Sequence, residues 1–263
     1  VIEGLARPMD FSHRLRMPLL FVIAGAGLWF ASKRRSAAGV MKERTLRLLV
    51  PVIFGMFVIV PPQIFVERQF HDQWDGGYVQ FYLERVLQFQ PYPAGDFSWH
   101  HLWFIVYLFV YVPLLLPLLA HLKRRRVELK AGMWIYALAL PLGLNEAVLK
   151  PLFPGSHDLI NDWFLFVHYL LVTAYGLVFA SMTNSWDWFA HRRRTTLAIA
   201  VIVTAVALAL LDSGTLPRDS VYDAFLANAF TWCWLIVFLA YGREDLSRDS
   251  VVLRWARDAS LPI

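Results

Sequence analysis

Seven apolar segments divide the chain, at roughly 17–32, 46–66, 102–121, 132–150, 162–181, 196–211 and 224–241. A helix that crosses a bilayer needs about 20 mainly apolar residues, with a range of ~17–25. Hydrocarbon offers the backbone no hydrogen-bond partner, so an open sheet edge cannot lie in it. No segment reads as strand. The expected fold is therefore all-α: a polytopic helical membrane bundle of about seven transmembrane helices, in a single domain over 1–263. The first and sixth segments stand at the short limit. Composition agrees: 17% of residues are charged and 58% are hydrophobic, with a mean hydropathy of +0.48. A soluble domain carries roughly 25% charged residues.

The net charge of +5 would suit a nucleic-acid partner if the basic residues made one surface. Instead they fall in blocks between apolar segments, the pattern of membrane loops, so no nucleic acid is expected. Lys33, Arg34, Arg35, Lys42, Arg44 and Arg47 form the densest block. If the chain starts outside, the stretches 33–47, 122–131, 182–195 and 242–263 lie inside and hold 18 of the 25 Lys and Arg. Every neighbouring pair of loops then obeys the positive-inside rule. The expected topology is multi-pass, with the start of the chain outside and its end in the cytoplasm. The single cysteine, Cys233, excludes an intrachain disulfide and a thiolate metal cluster.

The loop 67–101 is expected on the outer side. Within it, 78–89 places Gln80, Glu84 and Gln88 on one helical face and Val79, Tyr82, Leu83 and Val86 on another. This is the pattern of an amphipathic helix lying in the interface. Pro91, Pro93 and Gly95 end it.

Several residues fall where polar chemistry is unusual. Arg44 and Arg47, three apart, are expected to share one helical face. They read either as a snorkelling anchor or as a guanidinium pair for phosphate. Gly25 and Gly27 suit close helix packing or room for a ligand. Pro61-Pro62-Gln63 should break the second span near its outer end, either at a cavity that opens outward and takes the freed carbonyls or as a simple helix end. Ser98-Trp99-His100-His101-Leu102-Trp103 opens the third span. Its Trp residues read as interfacial anchors, and one His as a proton carrier. Two adjacent His point about 100° apart on a helix, so no metal site is expected. Glu146 is an intramembrane carboxylate, with Lys150 as an i, i+4 partner, and such a group is a functional hypothesis in itself. His168 lies in the fifth span. Asp162, at its mouth, is placed to cap it. No GxSxG, HExxH, Walker A or GxGxxG string is present. These residues alone fit an enzyme, a transporter or a packing module.

Several strings together resemble the acyltransferase type 3 family of bacterial membrane enzymes, in the branch that contains glucan biosynthesis protein C. They are Met17-Pro18-Leu19-Leu20-Phe21-Val22-Ile23-Ala24-Gly25, Arg44-Thr45-Leu46-Arg47-Leu48-Leu49-Val50-Pro51, Pro61-Pro62-Gln63, Phe97-Ser98-Trp99-His100-His101-Leu102-Trp103-Phe104 and Asp162-Trp163. The set runs in order through most of the chain. The resemblance implies a bacterial inner-membrane enzyme. It would move an acyl group, acetyl or succinyl, from cytoplasmic acyl-CoA to a hydroxyl of an extracytoplasmic or membrane-associated carbohydrate such as a glucan. Acyl-CoA is then a donor substrate, and no bound cofactor or metal is expected. Arg44 and Arg47 match the family's two-arginine motif, proposed to hold the CoA phosphates.

The family's main histidine lies in a first span that this chain does not show, and further spans follow in family members. Ala24 also stands where the family usually has serine. The chain is therefore expected to be a fragment without the first and last spans. Among the residues present, His101, Glu146 and His168 are the expected acid/base or positioning groups, and Trp99, Trp103 and Asp162 the expected substrate contacts. The alternative is a transporter or flippase for a lipid-linked sugar or small anion. A transporter should show inverted repeats with paired broken helices, and none is evident.

Overall fold

The computed structural model describes residues 3–125, 130–214, 217, 219–245, 251 and 254–255. Arg126, Arg218, Arg248 and Arg257, part of the orientation count, and the chain end at Leu261-Pro262-Ile263 lie outside them. The elements are α1 (Glu3–Arg34), α2 (Ala37–Arg44), α3 (Val50–Phe54), α4 (Val60–Phe70), α5 (Tyr78–Glu84), α6 (Trp103–Arg125), α7 (Ala139–Leu149), α8 (Trp163–Ser181), α9 (Ser185–His191), α10 (Arg193–Asp212) and α11 (Val221–Asp245). Six helical stretches are long and apolar enough to cross a membrane: Phe11–Arg34, Ala37–Phe70, His100–Arg124, Trp163–Ser181, Arg193–Leu211 and Val221–Glu244. The expected helical membrane bundle is the fold.

The first span is longer than its apolar core suggested, because α1 runs well ahead of residue 17. The fourth apolar segment is the short one. It opens with six residues of 3-10 helix, Met133–Leu138, and continues as the eleven residues of α7. A 3-10 helix rises about 2.0 Å per residue and an α-helix 1.5 Å. The tighter winding stretches this segment to about 28 Å, close to the ~30 Å hydrocarbon thickness.

Two compact units divide the chain. One comprises Val1–Phe30, Leu118–Ser156 and Ile160–Ile263; the other comprises Ala31–Pro117 and His157–Leu159.

In the first unit, α11 packs against α7, α9 and α10. Trp232 of α11 is buried, donates to the Ile135 carbonyl at 2.7 Å and meets Tyr175 and Phe179 of α8 edge-on or tilted. Cys233 is buried in a cluster with Ala200 and Val237. Helices α1 and α8 approach through a reciprocal glycine contact. A Cβ at Gly25 would collide with the Thr173 carbonyl oxygen, and one at Gly176 with that of Val22. Small residues let membrane helices come this close without a hydrophobic driving force. Close packing is thus the role of Gly25.

In the second unit, Ala37–Phe70 is one helical run of 34 residues. It contains two π turns, Thr45–Leu49 and Gly55–Ile59, ahead of α3 and α4. Pro51 and Pro61 sit at the first positions of those helices. Proline lacks the N–H that would bond the carbonyl four residues back, and its ring crowds that carbonyl. A π turn widens the helix there, and the run continues. The expected break at Pro61-Pro62 is therefore absent, and α4 extends to Phe70. The Phe57 carbonyl faces proline at both i+4 and i+5. The Tyr82 hydroxyl donates to it at 3.0 Å, so its partner is protein rather than a cavity.

The helix expected over 78–89 ends sooner, as α5 followed by a 3-10 turn, Val86–Gln88. Its buried side also differs. Phe81 and Val86 pack with Val60 and Ile64, while Val79 and Leu83 are exposed. Docking on α4 selects the aromatic side, because the large Phe81 ring gains the most from burial.

The glycine contact yields a test. Gly25→Ala and Gly176→Ala are each expected to destabilise the full-length protein by about 1–3 kcal/mol through overpacking. The thermal midpoint in detergent reads this. Gly77→Ala, with no atom within 4 Å of its added Cβ, should leave the midpoint unchanged.

Candidate functional site

The first cluster of polar groups lies on the second unit's long helix. Glu43 accepts from Arg35 Nη1, and its other oxygen meets Arg47 Nε at 3.2 Å. Both partners of Glu43 are therefore arginines that lean into solvent, at 45% and 71% side-chain exposure. Arg44 differs. It is partly buried, Arg35 and Arg47 are its charged neighbours, and its Nε is buried with no hydrogen-bond partner among the described residues. A buried guanidinium donor without an acceptor is costly, by about 1–3 kcal/mol or more for a charged group. Of the pair, Arg44 is the partly buried member and Arg47 the exposed one, and Arg47 lies within the π turn that starts at Thr45. Three arginines with one carboxylate among them leave a positive site with an open buried donor.

The second cluster is in the first unit, on α7 and the helices α8 and α11 packed against it. Lys150 Nζ donates to Glu146 Oε1 at 3.0 Å, as its i, i+4 spacing predicts. It also reaches Asp219 at 3.3 Å. Asn228 of α11 donates to Glu146 Oε2 at 2.7 Å and to the Ala224 carbonyl at 2.8 Å. Both carboxylate oxygens thus have a partner. Asn145, next to it, is buried and donates to the Phe164 carbonyl at 3.0 Å, leaving its Oδ1 buried and unpartnered. His168 of α8 has a buried Nδ1, also without a partner among the described residues. Glu146 is the ionisable group whose charge bears on the imidazole. The structure therefore brings Glu146 and His168 to one place, as the sequence left open, and adds Asn145 and Asn228. Asn228 carries the same signal that exposed Glu146, a polar side chain amid an apolar segment.

The third cluster ties down the loop 67–101. Asp96 is 1% exposed and accepts from Arg68 Nε at 2.6 Å and Arg85 Nε at 2.7 Å. Arg68 also donates to Gln73 at 2.5 Å and to the Pro93 and Gly95 carbonyls. Tyr92 donates to Glu67 at 2.7 Å. That bond, with partial burial, raises the phenol above its ordinary value. Sequence reasoning missed Asp96, because its two partners lie 28 and 11 residues away.

The expected substrate contacts are placed as follows. Trp99 Nε1 donates to the His157 carbonyl at 2.8 Å. The Trp103 ring is buried and lies 4.3 Å from the His157 ring. His101 is exposed, and its neighbour His100 is 3.8 Å from Glu67. Asp162 is fully buried and caps α8, accepting from Leu165 N at 3.4 Å. Among the described residues no group of three His, Cys, Asp or Glu could hold a metal.

Six long apolar helices, a basic cluster with an open guanidinium donor and a polar network on the apolar helices define an integral membrane protein with polar sites built into its helices. The chain matches the acyltransferase 3 family, described as an acyltransferase domain, over residues 2–263, and it belongs to that family. It is a membrane acyltransferase. No curated protein and no solved structure matches the chain.

The loop cluster carries its own test. Asp96→Ala leaves two guanidinium groups without their buried counter-charge, a loss of about 3–5 kcal/mol. The expected outcome is rapid protease cleavage within 67–101 in intact membranes under conditions where the wild-type loop survives. Asp96→Glu should recover part of the protection.

Proposed function

We propose that this acyltransferase takes an acetyl or succinyl group from cytoplasmic acyl-CoA and delivers it to a hydroxyl of a carbohydrate at or beyond the outer face of a bacterial inner membrane. A glucan is the acceptor suggested by the resemblance to the glucan biosynthesis protein C branch. The observation that carries the donor side is the buried, unpartnered Nε of Arg44. Guanidinium binds phosphate through directed, charge-assisted hydrogen bonds. Glu43 already engages Arg35 and Arg47, so Arg44 is the donor left for a ligand anion. Arg47, exposed at the same site, adds charge near a phosphate. The orientation that puts this cluster in the cytoplasm rests on the distribution of Lys and Arg, and CoA is found on that side.

On the acceptor side, Glu146 has both oxygens engaged, which supports a positioning role for it. His168, whose Nδ1 is open, is the acid/base or binding candidate among the three nominated residues. His101, exposed where the third span begins, is the group that meets the acceptor near the surface, with Trp99 and Trp103 close to it in the chain; Asp162, in the other unit, supports the acceptor side by capping α8.

The test is transfer of labelled acetyl from acetyl-CoA to cell-surface glycan in membranes that contain the full-length protein. A hydrogen bond to a charged group contributes about 1.5–3 kcal/mol. Arg44→Ala should therefore raise the acetyl-CoA KM about 10–100-fold at matched membrane levels. Arg47→Ala should raise it less, because that guanidinium is exposed and shared with Glu43. Wild-type KM in both variants would reduce the pair to a topological anchor. No labelling by wild type with either acetyl-CoA or succinyl-CoA would favour the transporter reading.

A further inference from the structure

The polar groups around Glu146 are satisfied on one side and open on the other. Lys150 and Asn228 close off the carboxylate. The open atoms are Asn145 Oδ1 and His168 Nδ1, both buried. Tyr175, seven residues beyond His168 and so on the same face of α8, adds a buried hydroxyl with no partner. Buried polar groups in native proteins are overwhelmingly hydrogen-bonded, and each exception calls for a missing ligand, water or role.

Two of these atoms are close neighbours by helix geometry. The Asn145 amide docks on the Phe164 carbonyl. In an α-helix that carbonyl points toward the N–H of residue 168. The rings of Phe164 and His168 lie 5.9 Å apart, one turn along the same face. Asn145 Oδ1 and the imidazole are therefore both placed at the same turn of α8, Phe164 to His168. Because Asn145 Nδ2 is the donor to Phe164, the open atom is an acceptor. His168 Nδ1 is an acceptor in one neutral tautomer. Two acceptors at one helical turn suit a ligand that presents two donors from neighbouring carbons, the signature of a vicinal diol.

We propose that Asn145 and His168 form the acceptor subsite of this acyltransferase and recognise two adjacent hydroxyls of a sugar ring, with Glu146, braced by Lys150 and Asn228, fixing α7 beside them. This rests on the carbohydrate-acylation reading and adds where the sugar binds and what it must present. A site built to hydrogen-bond a hydroxyl discriminates strongly against an analogue that lacks it, because its own polar atom is left unpaired.

The experiment uses full-length protein in membranes with labelled acetyl-CoA. Methyl β-D-glucopyranoside and its monodeoxy analogues are added as competing acceptors against endogenous glycan. Methyl glucoside is expected to compete, and at least one monodeoxy analogue should compete at least tenfold more weakly. Asn145→Ala should weaken methyl glucoside at least tenfold, erase the difference between it and that analogue, and leave the acetyl-CoA KM unchanged. His168→Leu should likewise weaken methyl glucoside at least tenfold and erase the difference. If either variant fails to accumulate, discrimination by the wild type still decides.

Glycan labelling with no competition by any glucoside, or with equal competition by all, overturns the subsite and leaves a bound water as the occupant. A shift in acetyl-CoA KM instead would assign the cluster to the donor and overturn it as well. Absence of glycan labelling in the wild type is a different failure: it removes the carbohydrate-acylation reading, and the subsite with it.

Discussion

Within hydrocarbon a polar group can turn only to another part of the protein, and that constraint organises this molecule. The carbonyl of Phe57, denied a helical donor by two consecutive prolines, receives the Tyr82 hydroxyl. Glu146, in the apolar helix α7, finds a partner for each oxygen in Lys150 and Asn228. Asp96, though in a loop, follows the same rule with two arginines. Where satisfaction is so thorough, the buried atoms that lack it stand out. Arg44 Nε, Asn145 Oδ1 and His168 Nδ1 sit on different helices, and each complements one of the proposed ligand groups: phosphate oxygens for the first, hydroxyls for the others.

The same constraint shapes the helices themselves. A segment shorter than the six candidate spans begins as 3-10 helix and gains length. A segment with prolines in its interior adopts π turns and stays continuous. Helices α1 and α8, with little hydrophobic reason to associate in lipid, meet through glycines that bring backbone to backbone. Each solution uses backbone geometry where a soluble protein would rely on burial of side chains.

Much of the fold was legible because its signal is local and strong. Apolar segment length marks a membrane pass, and the spacing of Glu146 and Lys150 marks a pair within one helix. Gly25 pointed to close packing for the same reason. What stayed hidden depends on distance or on departures from the regular helix. Asn228 lies 82 residues from Glu146, and no periodicity connects them. Arg44 and Arg47 were read at 3.6 residues per turn, but Arg47 lies within a π turn. The face of 78–89 was assigned by counting apolar positions, whereas Phe81, outside the counted set, is the ring that α4 buries. The open atoms of the candidate site could not be read at all, since a missing partner is visible only once every other partner is in place.

A π turn is an α-helix with one residue too many, and this gives Thr45–Leu49 a consequence for how the chain tolerates change. Delete a single residue there and the helix relaxes to the ordinary repeat with the helices on either side still in phase, because the wide turn already absorbs the extra residue. Delete one from the regular helix beyond it and everything on one side turns by about 100° relative to the other. The turn works as slack, so a change in the number of residues is tolerated here where the regular helix around it would lose its register.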